Sequence, residues 1–485
     1  MGLDKSTRNL WAAALVAIVT VAGAVTTVIV HEPEPQQEVN IPGLSGFTTN
    51  PDTPEASPNA PAAEWSLDAA ATYDRQFAVF RNPVYGSGFD SGEPGFVDAG
   101  DALVTMIGLV NQQTSGLDEA TLVGVDAGTG TVRWQTPVES LGGCADTLAA
   151  GWMVCYTTPY EDAPTILAVD TATGSVTRTP TDWTILAMTA SDDWLYVMEG
   201  DPESDDIRVH SGIPADPDAR WSQQFDLGAA WEDAFGGHLM STDHGQGVLE
   251  LGGEVAGFDL ATGSPTFTRT LPDCTQSARA TDGGVVVRVH SDCSLGKVLG
   301  SEAVDRTGAV LATSEVEAAH TLAVDRPADT RIPVLLGDGA YDRTTGELRW
   351  TSPDLVSTPH VNTPESYGPN ATQGTAVAVL GEVALLRDYE GKTETALDLR
   401  SGERLWHRGT DSYGTVVAAE GETAVMLESD VLRALDVRSG EELWVLPLQT
   451  VIDDDAWDRT PVVAASDTRL VYVTSGSMVG LDSAG

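Results

Sequence analysis

Val125-Asp126-Ala127-Gly128-Thr129-Gly130-Thr131-Val132-Arg133-Trp134 is the stretch that decides the fold of this chain. A hydrophobic residue, an Asp, three residues, a Gly, three residues and an aromatic follow one another, and the pattern returns. It reads Tyr341-Asp342…Gly346…Trp350, then Leu397-Asp398…Gly402…Trp406 and Leu435-Asp436…Gly440…Trp444. Weaker copies are Asp170…Gly174, where Arg178 replaces the aromatic, and Asp259…Gly263…Phe267. Degenerate ones lie at His210-Ser211-Gly212, Asp305…Gly308 and Leu481-Asp482. The chemistry is that of a hairpin turn, capped by the Asp side chain, with Gly supplying the positive φ before the returning strand. The aromatic then sits two pleats into that strand, where a large flat side chain suits packing between neighbouring sheets better than stacking on a ligand.

Outward from this motif the sequence is β throughout. From Trp65 onward short alternating or β-branched runs, such as Trp194-Leu-Tyr-Val-Met198 and Leu470-Val-Tyr-Val-Thr474, are separated by Gly, Asp and Ser turns. Nine motif positions from Asp126 to Asp482 give a mean spacing of about 44 residues, the period of a β-propeller of four-stranded antiparallel blades. Over residues 65–485 the repeat resembles that of the quinoprotein-like propellers, the group with the pyrroloquinoline-quinone (PQQ) dehydrogenases and the assembly propeller BamB. The resemblance implies eight blades, the common number in that group, while the motif count admits nine. One scaffold carries unrelated functions in that group, so the resemblance specifies fold better than activity. Ala63–Leu67, with Trp65, is expected to supply the missing outer strand of the last blade and so close the ring.

The 485 residues include 26 Lys+Arg against 72 Asp+Glu, a net charge of −46. That balance excludes nucleic acid as a partner, because phosphates need a basic face. Leu10 to Val30 carries no charge over 21 residues, long enough to cross a hydrocarbon core. With Lys5 and Arg8 before it and Glu32 and Glu34 after it, the run reads as a signal-anchor helix. A cleaved signal peptide with Ala22-Gly23-Ala24 at the cleavage site is the alternative. The domain reading is therefore a cytoplasmic 1–9, a membrane helix 10–30, a Pro-rich linker 31–64 and an extracytoplasmic propeller 65–485.

Enzyme motifs are sparse. The PQQ dehydrogenases hold their cofactor with calcium and, in many members, a disulfide between adjacent cysteines. Cys144, Cys155, Cys274 and Cys293 are not adjacent, no C-x-x-C-H is present, and the closest histidines, His238 and His244, lack metal-site spacing. Export favours disulfides, and the hairpin pattern pairs Cys144 with Cys155 and Cys274 with Cys293. Acidic clusters at Glu161-Asp162, Asp201 to Asp206 (with Asp205 and Asp206) and Asp453-Asp454-Asp455 read as solvated loops or as a face for a cation or basic partner. They are expected opposite the repeat turns, where Arg343, Arg400 and Arg438 dilute the negative charge. The insertion Thr351–Gly374 is a further candidate for partner contact. The functional expectation is a membrane-anchored scaffold that binds a protein or cell-envelope component, with no catalytic residue, metal or cofactor. The alternative is a membrane-bound dehydrogenase using PQQ and calcium. The sequence is silent on oligomeric state.

Overall fold

The computed structural model describes residues 54–482 apart from 89–91, 139, 159–163, 231–238, 271–275, 283, 292–297, 358–372, 411–413, 429, 452–461 and 467–468. Among the described residues the chain forms nine blade-like sheets of three to five strands and one short two-stranded ribbon. Blade one runs Ala78–Arg81, Ala102–Val110, Leu117–Asp126 and Val132–Pro137 from the inner strand outward. Blades two to five repeat this order, with blade two starting at Leu141–Cys144 and blade five ending at Val310–Ser314. Each blade's inner edge faces a central channel, and where the Asp-x-x-x-Gly turn is present it joins the third and fourth strands.

Nine apolar clusters hold the sheets together, each shared by two consecutive blades. The cluster of Trp65, Phe80, Val123, Val471 and Met478 joins the ninth blade to the first, so the ring is closed. Closure is made by Ala63–Asp68, which pairs antiparallel with Ser477–Leu481 as the outer strand of blade nine. Nine blades, not eight, correct the number taken from the resemblance, and the strand count per blade is not uniformly four. The spacing of the motif carried the right count, and the family's usual number did not.

The motif aromatics bind blade to blade. Trp350 packs its indole on Gly402 of the next blade and donates Nε1–H to the Leu399 carbonyl at 3.0 Å. Trp134 does the same with Gly174 and Thr171, Trp406 with Gly440 and Val437, and Trp65 with Gly130 and Ala127. Gly402 is required twice over: its φ is +74°, and a Cβ there would lie 2.6 Å from the Trp350 ring. Trp444 is buried with Tyr472 and Val479 between blades eight and nine. Asp126, Gly130, Trp134, Asp342, Gly346, Trp350, Asp398, Gly402, Trp406, Asp436, Gly440 and Trp444 thus form the joints of the ring.

Two of the turn carboxylates are strongly acidic. Asp126 accepts from Arg133 at 2.7 Å and from Thr129, and these bonds lower its pKa to about 2. Asp342, paired with Arg349, is lowered to about 2 as well. A carboxyl with a depressed folded-state pKa adds stability above its unfolded pKa and loses it as pH falls through the folded value. Arg133→Ala is therefore expected to lower the melting temperature at pH 7. The gap from wild type should close as pH falls from about 4 to about 2; thermal scans across that range check it, and a gap that persists at pH 2 contradicts the ion-pair account.

Blade six departs from the pattern. It keeps only Val334–Leu336, Gly339–Tyr341 and Leu348–Thr351, while Val324–Pro327 pairs parallel with Ala376–Gly381, the inner strand of blade seven. Blade five has Ala312 opposite Ala303, where most of the other blades carry an aromatic. With no ring to fill the joint, the blade-six turn closes onto backbone, and a Cβ on Gly346 would lie 1.8 Å from the Leu311 carbonyl oxygen. Arg343 fills the same seam. Its side chain is buried, donating to the Ile332 carbonyl and to Thr281 at 2.8 Å each. It therefore does not dilute surface charge, as the sequence suggested, whereas Arg400 and Arg438 do lie on the turn face, paired with Glu382 and Glu422.

Of the two expected disulfides, Cys144–Cys155 links the first two strands of blade two, where the residues face each other in register. Cys274 and Cys293 lie outside the described residues. No helix among the described residues is long and apolar enough to cross a membrane, so the described structure does not bear out the anchored, single-pass topology; residues 10–30, where that helix was placed, lie outside the described residues.

Candidate functional site in the central channel

The inner strands leave two cavities along the channel. The larger, about 970 Å³, is walled by Thr189–Ser191, Met240–Thr242 and Ser277–Arg279 of blades three to five. The second, about 470 Å³, lies among the inner strands of blades seven and eight. Val298, Ala319 and Thr321 belong to the walls of both. His320 anchors this shared wall: its Nε2–H donates to the Gly337 carbonyl at 2.9 Å, and its Nδ1 accepts from the Ala376 N–H at 3.3 Å. Burial lowers its pKa to about 4, so the imidazole is neutral near pH 7 and serves as a strut.

The 470 Å³ cavity has apolar walls at Ala323, Ala376, Val377 and Val416, the Tyr389 ring, and one cation, Arg387. Arg387 is 2% exposed. Its Nη2 donates to Glu394, which also accepts two bonds from Arg408 at 2.6 and 2.9 Å. Burial pushes the Glu394 carboxyl up, but the two guanidinium groups outweigh it and hold the pKa low. Glu428 stands 3.8 Å from Arg387 and is also engaged by Arg433. Among the described residues, Nε and Nη1 of Arg387 have no hydrogen-bond partner.

A second group sits on the face of the repeat turns. Asp243 and His244 lie in the turn between the first two strands of blade four, and Asp282 in that of blade five. One donor atom from each falls within 4.8 Å of the others, an arrangement able to hold a metal ion. His244 Nδ1 is 2.6 Å from Asp243, its Nε2 is 3.5 Å from Asp282, and Arg306 donates to the His244 carbonyl. This corrects the expectation that the scattered histidines join no such set: the His244–Asp282 half of it is 38 residues apart in sequence and is made only by blade packing.

The acidic clusters do not meet in one described site. Asp205 and Asp206 lie in the connection between the second and third strands of blade three, the face away from the repeat turns. Asp206 accepts from Gln224 at 3.0 Å, and the Asp205 carboxylate packs against Gly228. Glu161, Asp162, Asp453, Asp454 and Asp455 lie outside the described residues, as does most of the Thr351–Gly374 insertion. Arg387 went unnoticed in the sequence. The available signal was an arginine closing the apolar run Val383-Ala-Leu-Leu-Arg387 and followed, across a turn, by Glu394 at the opposing register position.

A PQQ cofactor is implied by the resemblance, and its fit is mixed. Arg387 suits the carboxylates of such a molecule, but the described lining of its cavity contributes no carboxylate for a calcium ion, and the metal-capable group lies on the opposite face. The residues therefore do not assemble a quinone–calcium site.

Comparison with curated protein sequences finds no match. Among solved structures, BamB from Moraxella catarrhalis is similar at 11% identity and TM-score 0.44, covering 87% of this chain and 100% of that one. Quinohemoprotein alcohol dehydrogenase from Comamonas testosteroni follows at 13% identity and TM-score 0.41, covering 86% and 78%. AztD from Citrobacter koseri has 15% identity and TM-score 0.38, covering 73% and 85%. At this level no site residue carries over. A family model described as "Outer membrane protein assembly factor BamB" matches residues 208–445 and 339–485. Those two matches together span more than half of the chain, and the protein belongs to that family of PQQ-repeat propellers.

Proposed function

We propose that the protein works through its central channel, taking up a small organic molecule there, as the enzyme members of its propeller class do. One observation carries this reading: two cavities of about 970 and 470 Å³ share a wall at Ala319–Thr321 and are lined by inner-strand side chains. Small-molecule sites are concave, mostly apolar and fixed by a few polar groups, and the smaller cavity has that composition. The reading replaces the expectation of a membrane-anchored scaffold without enzymatic role: the inner strands line two cavities, and a metal-capable group stands apart from them on the turn face.

Thr321 is exposed in the channel and lies on both walls, so Thr321→Trp should plug the passage without touching the core. Ligand-observed NMR on the full chain with a mixture of neutral, acidic and basic small molecules is expected to find binders that Thr321→Trp weakens at least about tenfold. No binder at all, or binders indifferent to the plug, would refute the channel as the functional site.

A further inference from the structure

Hydrogen bonding alone does not complete the turn-face group of Asp243, His244 and Asp282. His244 Nδ1–H donates to the Asp243 carboxylate at 2.6 Å, which leaves the Nε2 lone pair directed outward. That nitrogen meets the Asp282 carboxylate at 3.5 Å across the seam between blades four and five. Two electron-pair donors face each other there, and the contact is favourable only if a second ring proton or a metal ion stands between them. The separation is longer than an N–H···O bond prefers. It suits two ligands of one ion, since legs of about 2.1 and 2.2 Å span 3.5 Å when they meet at roughly 110°, the tetrahedral angle. Both side chains are nearly half exposed, so an ion reaches them directly from solvent.

Independently of the channel reading, we propose that His244 Nε2 and the Asp282 carboxylate bind a divalent cation of the zinc class that ties blade four to blade five, with water completing its shell. An imidazole nitrogen beside a carboxylate suits zinc and its transition-metal neighbours, whereas calcium and magnesium take oxygen ligands. Asp243 is the positioning residue: it fixes the tautomer and the ring orientation of His244, as carboxylates behind metal-bound histidines do. The surrounding charges are mixed. Burial raises the carboxyl of Asp325, Arg343 and Arg279 oppose the rise, and Asp282 and Asp243 add to it, so the three carboxylates share one field. Arg306, bonded to the His244 carbonyl, works against a cation. The net charge of −46 tips the balance back by drawing cations to the molecule as a whole.

Calorimetric titration of the full chain with zinc chloride should show a site that His244→Asn and Asp282→Asn, one in each blade, each weaken at least about tenfold. Asn suits the left-handed backbone at His244, where φ is +45°. Both side chains are exposed, so the two variants should melt as wild type does when zinc is absent. Asp243→Asn should weaken binding about tenfold without abolishing it. An excess of calcium of about a hundredfold should not displace the zinc. Wild type alone supplies a further check: cobalt(II) should give the visible absorption of a nitrogen and oxygen shell, without a thiolate charge-transfer band. Zinc binding that survives either His244→Asn or Asp282→Asn, displacement by calcium, a thiolate band, or no binding at all would overturn the proposal. The site stands apart from both cavities, so Thr321→Trp should leave zinc binding unchanged, and loss of the zinc site would leave the channel reading standing.

Discussion

Replacing Gly402 by Ala should destabilise the propeller by about 3 kcal/mol, the sum of a left-handed strain and an overpacked joint. The new Cβ would lie 2.6 Å from Trp350 Cδ2, and the indole is held in place by its bond to the Leu399 carbonyl, so the ring has nowhere to retreat. Gly421 is the internal control. It too has a positive φ, +58°, but nothing lies within 4 Å of the position a Cβ would take. Gly421→Ala should therefore cost only the conformational part, about 1 kcal/mol. Urea denaturation of both variants measures the difference. Equal losses would show that the tryptophan joint contributes nothing beyond backbone conformation.

Trp65→Ala should cost more, about 3 to 5 kcal/mol. Trp65 closes the ring from the far end of the sequence. Its ring covers Gly480 of its own blade and Gly130 of the next, and its Nε1–H reaches the Ala127 carbonyl at 3.1 Å. Trp65→Phe keeps most of the packing and removes one neutral hydrogen bond, about 1 kcal/mol. A chain beginning at Asp74 loses the whole closing strand and should fare worse than either. Thermal and urea unfolding of the three rank them. A chain from Asp74 with unchanged melting would mean that the strand is an ornament on an already closed ring.

The joints were legible because their chemistry is local. Asp caps, Gly turns and the aromatic packs within ten residues, so Asp398, Gly402 and Trp406 announce a blade without knowledge of any other. Cys144 and Cys155 were legible for the same reason, lying across one hairpin. Blade number was harder. At Asp305…Gly308 the motif is one residue short and Ala312 replaces the aromatic, and at blade three the turn is reduced to Gly212 and its neighbours. Both copies are real blades, and the figure of eight came from the resemblance, not from the motif count. The channel and turn-face groups were scarcely legible. Arg387 is unusual only because of what fails to reach it, and Asp243, His244 and Asp282 meet only when two blades pack side by side. Both are properties of register and of neighbouring sheets, which no local pattern records.

The closing strand also sets a clock. Ala63–Asp68 leaves the ribosome about four hundred residues before its partner Ser477–Leu481. Until that partner emerges, Trp65 and its strand have no native edge to join, and the first blade lacks the neighbour that covers Phe80 and Val123. Non-local pairings of this span make folding slow and leave unpaired strand edges open to other chains. The growing polypeptide thus carries this strand unpaired, with Trp65 uncovered, until Ser477–Leu481 has been made.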